Sequence, residues 1–252
     1  MMETNIKKRA LDPDSIVPLY YQLKEILRED IAAGVWKAGD TFPSEAELCV
    51  QYDVSRATVR QAIGDLVKER LLHRRQGRGT FVAEPKLQED LLGFFSFSAE
   101  MTAKGHTVQS EVLSVDLVSP SAGLRLLFKL SPDEEVNQIV RLRRVDGEPL
   151  FLEKTSIPRK LASRLLEKDL SSNPIFLRLL TEEYGIRPHS VKKAIEPALA
   201  DQYEAQVLGI QVHAPVLILE RTAYDISGAP VVFTKWVVRG DRCKHYIDPS
   251  AP

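Results

Sequence analysis

Val54-Ser55-Arg56-Ala57-Thr58-Val59-Arg60-Gln61-Ala62-Ile63 is the stretch on which the reading of this chain turns. Ser55 is an N-cap residue. Beyond it Val59, Ala62, Ile63, Leu66 and Val67 fall at i, i+3, i+4, i+7 and i+8, the buried stripe of an amphipathic helix. Arg56 and Arg60 lie off that stripe, one turn apart, beside Ala57, Thr58 and Gln61. A guanidinium fork there can pair with a guanine edge or grip phosphate, and the short Ala57 and Thr58 let the helix come close.

Working outward, Ser44 with Glu47 three residues later is a capping box, so a preceding helix starts there and ends near Tyr52-Asp53. Downstream, 71–75 is strand-like, Gln76-Gly77-Arg78-Gly79 turns, and Thr80-Phe81-Val82 returns. The glycines allow positive φ and a close approach of backbone to phosphate. Residues 55–82 hold seven Lys/Arg against Asp65 and Glu69, a net of +5 in a chain whose total is −1. So local a basic patch is the electrostatic footprint of a nucleic-acid site. The order of parts predicts a winged helix-turn-helix over 15–82 that contacts double-stranded DNA.

This segment resembles the N-terminal domain of the GntR superfamily of bacterial regulators. The resemblance rests on Pro18-Leu19-Tyr20-Tyr21-Gln22-Leu23, Gly34, Gly39-Asp40, Pro43-Ser44-Glu45, the residues just quoted, and Gln76 to Val82. It implies DNA contacts from Ser44, Glu45, Ser55, Arg56, Ala57, Thr58, Arg60, Gln61, Gly77, Arg78, Gly79 and Thr80. Two departures stand out. Ala46 replaces the Arg that usually follows Pro-Ser-Glu, which removes one contact, and Arg70 occupies the place of a helix-ending Gly.

Composition bounds the rest. The 252 residues suffice for two cores, and 44% hydrophobic with 27% charged residues is ordinary for a globular protein. No apolar run reaches the length of a membrane span and no signal-peptide core opens the chain, so a cytoplasmic location is expected. Cys49 and Cys243 are too few for a disulfide framework.

Residues 83–91 read as a linker and 92–248 as a second domain. Apolar alternation over 108–118, 136–145, 150–157, 190–196, 216–224 and 231–238 predicts strands. Helices are expected at 98–104, 122–128, 160–168, 173–184 and 201–208, and turns at Asp146-Gly147 and Ser227-Gly228 favour antiparallel pairing. The fold class is therefore α+β in two domains. The second half resembles the UTRA effector-binding domain of the HutC subfamily, with a chorismate-lyase-like fold. The matching text includes Leu92-Gly93-Phe94-Phe95-Ser96-Phe97, Arg141-Leu142-Arg143, Gly147-Glu148-Pro149-Leu150, Glu153 and Arg239-Gly240-Asp241-Arg242.

Arg141 and Arg143 share one face of their strand. A three-residue turn at 146–148 sets Arg141 opposite Glu153 and Arg143 opposite Phe151, whereas a two-residue turn sends Glu153 to the other face. The first register makes two cations and a carboxylate one constellation, for an anionic or polar effector; a cross-strand salt bridge is the bland alternative. The resemblance implies effector contacts from Phe95, Ser96, Arg141, Arg143, Glu153 and Phe176. Phe95 and Phe176 stand where phosphosugar-binding members carry hydroxyl residues, which points to an organic acid. Thr222, Phe233 and Trp236 are pocket-wall candidates.

No catalytic or metal constellation emerges, because the five histidines are scattered and no nucleophile elbow or phosphate loop occurs. The reading is a DNA-binding repressor under effector control, without a cofactor, acting as a homodimer on a palindromic operator. The rival is a chorismate-lyase-like enzyme fused to a DNA-binding module.

Overall fold

The computed structural model describes residues 10–84, 86–90, 97–167, 170 and 176–246, and of 88–90, 98–100 and 176–178 the backbone alone. The chain forms two compact units that divide between Lys86 and Leu87.

The first unit holds α1 (Leu19–Ala32), α2 (Glu45–Tyr52), α3 (Arg56–Lys68), β1 (Leu72–Arg75) and β2 (Gly79–Val82). Ser44 starts α2: its Oγ accepts from the Glu47 N–H at 3.3 Å, and the Glu47 carboxylate accepts from the Ser44 N–H at 2.8 Å. The Ser44 N–H, and the Ser44 hydroxyl that donates to the same carboxylate at 2.7 Å, hold the Glu47 carboxyl below the usual carboxylate range. Asp53, left-handed at φ 53°, ends the helix, and Ser55 caps α3 by accepting from the Thr58 N–H at 3.2 Å. Val59, Ala62, Ile63 and Leu66 are buried against Leu23, Leu27 and Leu48. Each large apolar side chain so buried contributes about 1.5–3 kcal/mol; Leu66→Ala would cost about 2–5 kcal/mol.

Arg70 takes the left-handed conformation (φ 60°) at the end of α3, where the Leu71 N–H reaches back to the Leu66 carbonyl at 3.0 Å. The wing pairs Arg75 with Gly79, so Gly79 opens β2 and the turn is Gln76-Gly77-Arg78. Residues 40–42 lie along β2, with the Phe42 N–H donating to the Thr80 carbonyl at 2.8 Å.

The second unit holds β3 (Leu87–Asp90), α4 (Phe97–Ala103), β4 (Val108–Val118), α5 (Ala122–Phe128), β5 (Val136–Val145) and β6 (Glu148–Pro158). There follow α6 (Phe176–Tyr184), β7 (Ser190–Leu199), α7 (Gln202–Leu208), β8 (Pro215–Tyr224), β9 (Pro230–Arg239) and β10 (Cys243–Tyr246). Six strands make one antiparallel sheet in the order β4-β5-β6-β9-β8-β7. Residues 87–90, placed in the linker by the sequence, instead form β3, which pairs in parallel with β10. The helix expected over 160–168 is replaced by two 3-10 turns, Arg159–Leu161 and Leu165–Glu167. Buried Asn137 donates to the Ala162 carbonyl at 2.9 Å, taking an acceptor that a continuous helix would use. Of the helix expected over 173–184, residues 173–175 lie outside the described residues.

Both turn alternatives proved half right. Asp146 (φ 52°) and Gly147 (φ 82°) form a two-residue turn that pairs Val145 with Glu148 and Arg144 with Pro149. The ladder then skips Leu150, a bulge that restores the other register: Arg143 opposite Phe151 and Arg141 opposite Glu153. One sheet face carries Ile139, Arg141, Arg143, Glu153 and Trp236 beneath α4 and α6; the opposite face carries Val140, Leu142, Leu152 and Val237 beneath α7.

Candidate nucleic-acid interface and effector site

α3 turns its buried stripe inward, which leaves Arg56, Ala57, Arg60 and Gln61 exposed and Thr58 half-buried over its first two turns. Thr58 Oγ1 also bonds Ser55 Oγ at 2.9 Å, so the cap is held by side chain as well as backbone. Ser44, Ser55, Gly77, Arg78 and Gly79 are exposed, and Thr80 and Glu45 are half-buried. In the wing, Gly77 (φ 70°) and Gly79 (φ 106°) supply the backbone freedom expected of them. The Arg75 guanidinium lies over the Phe81 ring at 4.9 Å, which fixes the stem of the wing.

Glu45 gathers what the sequence kept apart. Its carboxylate meets Arg60 Nη2 of α3 at 3.3 Å and Arg74 Nη2 of β1 at 3.7 Å. The recognition-type helix and the wing are thereby tied through the first residue of α2. Arg74 and Arg75 were counted in the basic patch without being named as contacts; both are exposed beside it.

In the second unit Arg141, Arg143 and Glu153 are 2%, 4% and 6% exposed. The Arg141 guanidinium bonds the Glu153 carboxylate, Thr155 Oγ1 donates to the same carboxylate at 3.1 Å, and Arg143 Nη1 donates to Ser110 Oγ at 2.8 Å. Burial alone would push the Glu153 carboxyl up; the two guanidiniums and these hydrogen bonds outweigh it and hold the group below the usual carboxylate range. Burial lowers the pKa of Arg143, with Glu153 opposing and Arg141 adding. The formal charges of the three side chains sum to +1 in a place where isolated charges are costly.

Phe151 and Trp236 stack at 4.7 Å beside it, and Phe97 stands edge-on to Phe151 at 4.8 Å. Trp236 Nε1 is buried with no acceptor among the described residues, an open donor on this face. Of the pocket-wall candidates Trp236 joins the arginines, whereas Thr222 and Phe233 sit on the opposite face. Phe95 and Ser96 lie outside the described residues, and of Phe176 only its place at the start of α6 is described. Ser110 and Thr155 were missed by sequence; the signal available was a hydroxyl residue inside each alternating strand, aligned only by register. Among the described residues no cluster of His, Cys, Asp and Glu could hold a metal, and no helix is long and apolar enough to cross a membrane.

Comparison with known proteins places both units in known families. The model for bacterial regulatory proteins of the gntR family matches residues 19–82, and that for the UTRA domain matches 103–244. The chain is 37% identical to the HTH-type transcriptional repressor NagR of Bacillus subtilis, over 94% of this chain and 98% of the relative. It is 30% identical to the histidine utilization repressor of Klebsiella aerogenes, over 86% and 90%. The crystal structure of PhnF from Mycobacterium smegmatis superimposes with a TM-score of 0.64 at 28% identity, over 91% of this chain and 99% of that one.

Proposed function

Because the chain belongs to the gntR family of bacterial regulatory proteins, as a HutC-type member with a UTRA domain, we propose that it is a cytoplasmic homodimeric repressor released or recruited by an organic acid. That it is a DNA-binding transcriptional regulator under small-molecule control, and not an enzyme, follows from the family and its named repressors. The dimer, the palindromic operator and the effector chemistry are the proposal.

The observation that carries it is the contrast between arginines presented to solvent on α3 and the wing and arginines enclosed with a carboxylate in the sheet domain. Arg56 and Arg60 would face base edges or phosphates in a major groove, with Ala57, Thr58 and Gln61 close by and Ser44, Ser55 and the 77–80 wing on the backbone. One helix and one wing bury too little surface for tight specific binding, hence a dimer joined through the sheet domain and an operator of two half-sites. Arg141 and Arg143 would hold the effector's carboxylate. Glu153, itself bonded by Thr155, orients Arg141, Ser110 orients Arg143, Trp236 offers its N–H, and the Phe97-Phe151-Trp236 cluster supports an apolar body. The acid acts by favouring one arrangement of the paired DNA-binding units over the other.

Two measurements test the two halves separately. Arg56→Ala weakens operator binding by about 1–3 kcal/mol in fluorescence anisotropy while dimer mass stays constant; unchanged affinity removes α3 from the interface. In a thermal-shift screen, small aromatic and aliphatic acids raise the Tm and Arg141→Ala abolishes the shift. A response to sugar phosphates alone would instead reassign the effector class.

A further inference from the structure

The sheet face turned away from Arg141 and Glu153 is closed at its two ends and open between them. At one end Leu152, Val140 and Val237 pack with Ala205 and Leu208 of α7; at the other, Leu124 and Leu127 of α5 and Phe233 of β9 pack on the cluster of Phe128, Leu130 and Val136. Between them runs a cleft of about 850 Å³ whose described lining residues belong to the six strands β4 to β9, α5 and the segment that leads into it. Its floor carries three lysines from three strands: Lys154 of β6, Lys235 of β9 and Lys192 of β7.

Their arrangement lacks an internal explanation. Lys154 and Lys235 are direct cross-strand partners, a like-charge pairing that destabilises a sheet unless something anionic lies between. None of the three lysines has an ion-pair partner among the described residues. Glu220, cross-strand from Lys235, is the one carboxylate among the described lining residues, whose four charged side chains sum to +2. Asp201 and Glu204, which border Lys154 and Lys235 in an adjoining hollow of about 290 Å³, spend their carboxylates on each other's backbone N–H in the α7 capping box.

A second observation comes from the floor itself. Ser156, two residues beyond Lys154 on the same face, is 1% exposed, lines the cleft, and its Oγ has no hydrogen-bond partner among the described residues. A buried hydroxyl left so is costly unless a ligand or water completes it. We propose that this cleft is a second small-molecule site, distinct from the arginine site, which takes an amphipathic organic anion: a carboxylate or phosphate held by Lys154, Lys192 and Lys235 with Ser156, its apolar body against Leu124, Leu127 and Phe233.

The probes are 2-naphthoate and phenyl phosphate, which separate the two anion chemistries, and inorganic phosphate, which lacks the apolar body. Each is titrated calorimetrically into the full-length protein. The proposal expects saturable binding of one aromatic anion, weakened at least tenfold in Lys154→Gln/Lys235→Gln and severalfold in Ser156→Ala, and retained in Arg141→Ala. It expects inorganic phosphate to bind more weakly than the aromatic probes. Circular dichroism confirms that the variants are folded, and Ala194→Glu, which adds charge to the exposed edge of the cleft, should weaken the probe independently. The proposal is overturned if no probe saturates or if phosphate binds as tightly as the aromatic anions. Loss in Arg141→Ala with retention in the lysine variant would also overturn it, since the probe would then sit in the arginine site. A change of oligomeric mass in the lysine variant would assign the face to a second copy of the chain and overturn it as well.

Discussion

Each unit of this protein sets one glutamate against two arginines, and the two trios obey opposite rules. In the first, Glu45 meets Arg60 and Arg74 with side chains 32%, 68% and 52% exposed. In the second, Glu153 faces Arg141 and Arg143 with almost no exposure. An exposed pair is worth about 0–1 kcal/mol and is screened by salt, so its arginines can exchange the carboxylate for a phosphate at little cost. A buried trio has lost its hydration in advance, and its members depend on one another. Identical side-chain chemistry therefore gives an interchangeable surface in one unit and a preorganised, desolvated cluster in the other.

The largest effect expected from this contrast is on the stability of the sheet unit. Glu153→Gln leaves two buried guanidiniums without their carboxylate and should cost about 3–5 kcal/mol. Urea unfolding followed through Trp236 in a Trp36→Phe background reads that unit alone. A loss under about 1 kcal/mol, the range of exposed pairs, would erase the distinction between the trios.

Acid should next separate them by pH. The Glu153 carboxyl lies below its unfolded value, so the stability that it contributes is complete above the unfolded carboxylate pKa and is lost as pH falls through the lower folded value. The stability gap between wild type and Glu153→Gln should thus stay level from neutral pH to about 5 and close only at or below the ordinary carboxylate pKa of about 4.3. A gap that closes between pH 5 and 7 would mean that the carboxyl is raised and that burial prevails over the arginines.

How much of either trio can be read from sequence depends on the range of the forces that build it. Ser44, Glu47, Ser55 and the stripe from Val59 to Leu66 act within one or two turns, so their helices were legible. The alternation of β4 to β9 was legible because one residue's face fixes its neighbour's. Glu45 between Arg60 and Arg74 was not, since that contact exists only once α2, α3 and β1 are packed. The Arg141-Glu153 register was legible as two alternatives, but the bulge at Leu150 that chooses between them leaves no local mark. β3 and β10 escaped for a plainer reason: strands of four residues paired across some 150 positions have too little pattern to count. The lysine cleft was hidden likewise, one lysine to a strand.

The smallest effect belongs to Glu45 and sharpens the comparison most. Glu45→Gln removes two exposed ion pairs, so thermal stability should change by less than about 0.5 kcal/mol, and less still at high salt. Its carboxylate also lies among the arginines that would meet phosphate, where a negative charge repels DNA. Affinity for a non-operator duplex at low salt should accordingly rise by about 0.5 kcal/mol, roughly a factor of two, and the gain should vanish as salt is raised. Anisotropy on one duplex over a salt series reads both. If affinity falls instead, Glu45 accepts a hydrogen bond from DNA itself, as a carboxylate can from cytosine N4. The first trio would then be a reader of bases, and its exposed side chains would be shaped for a ligand no less than the buried ones.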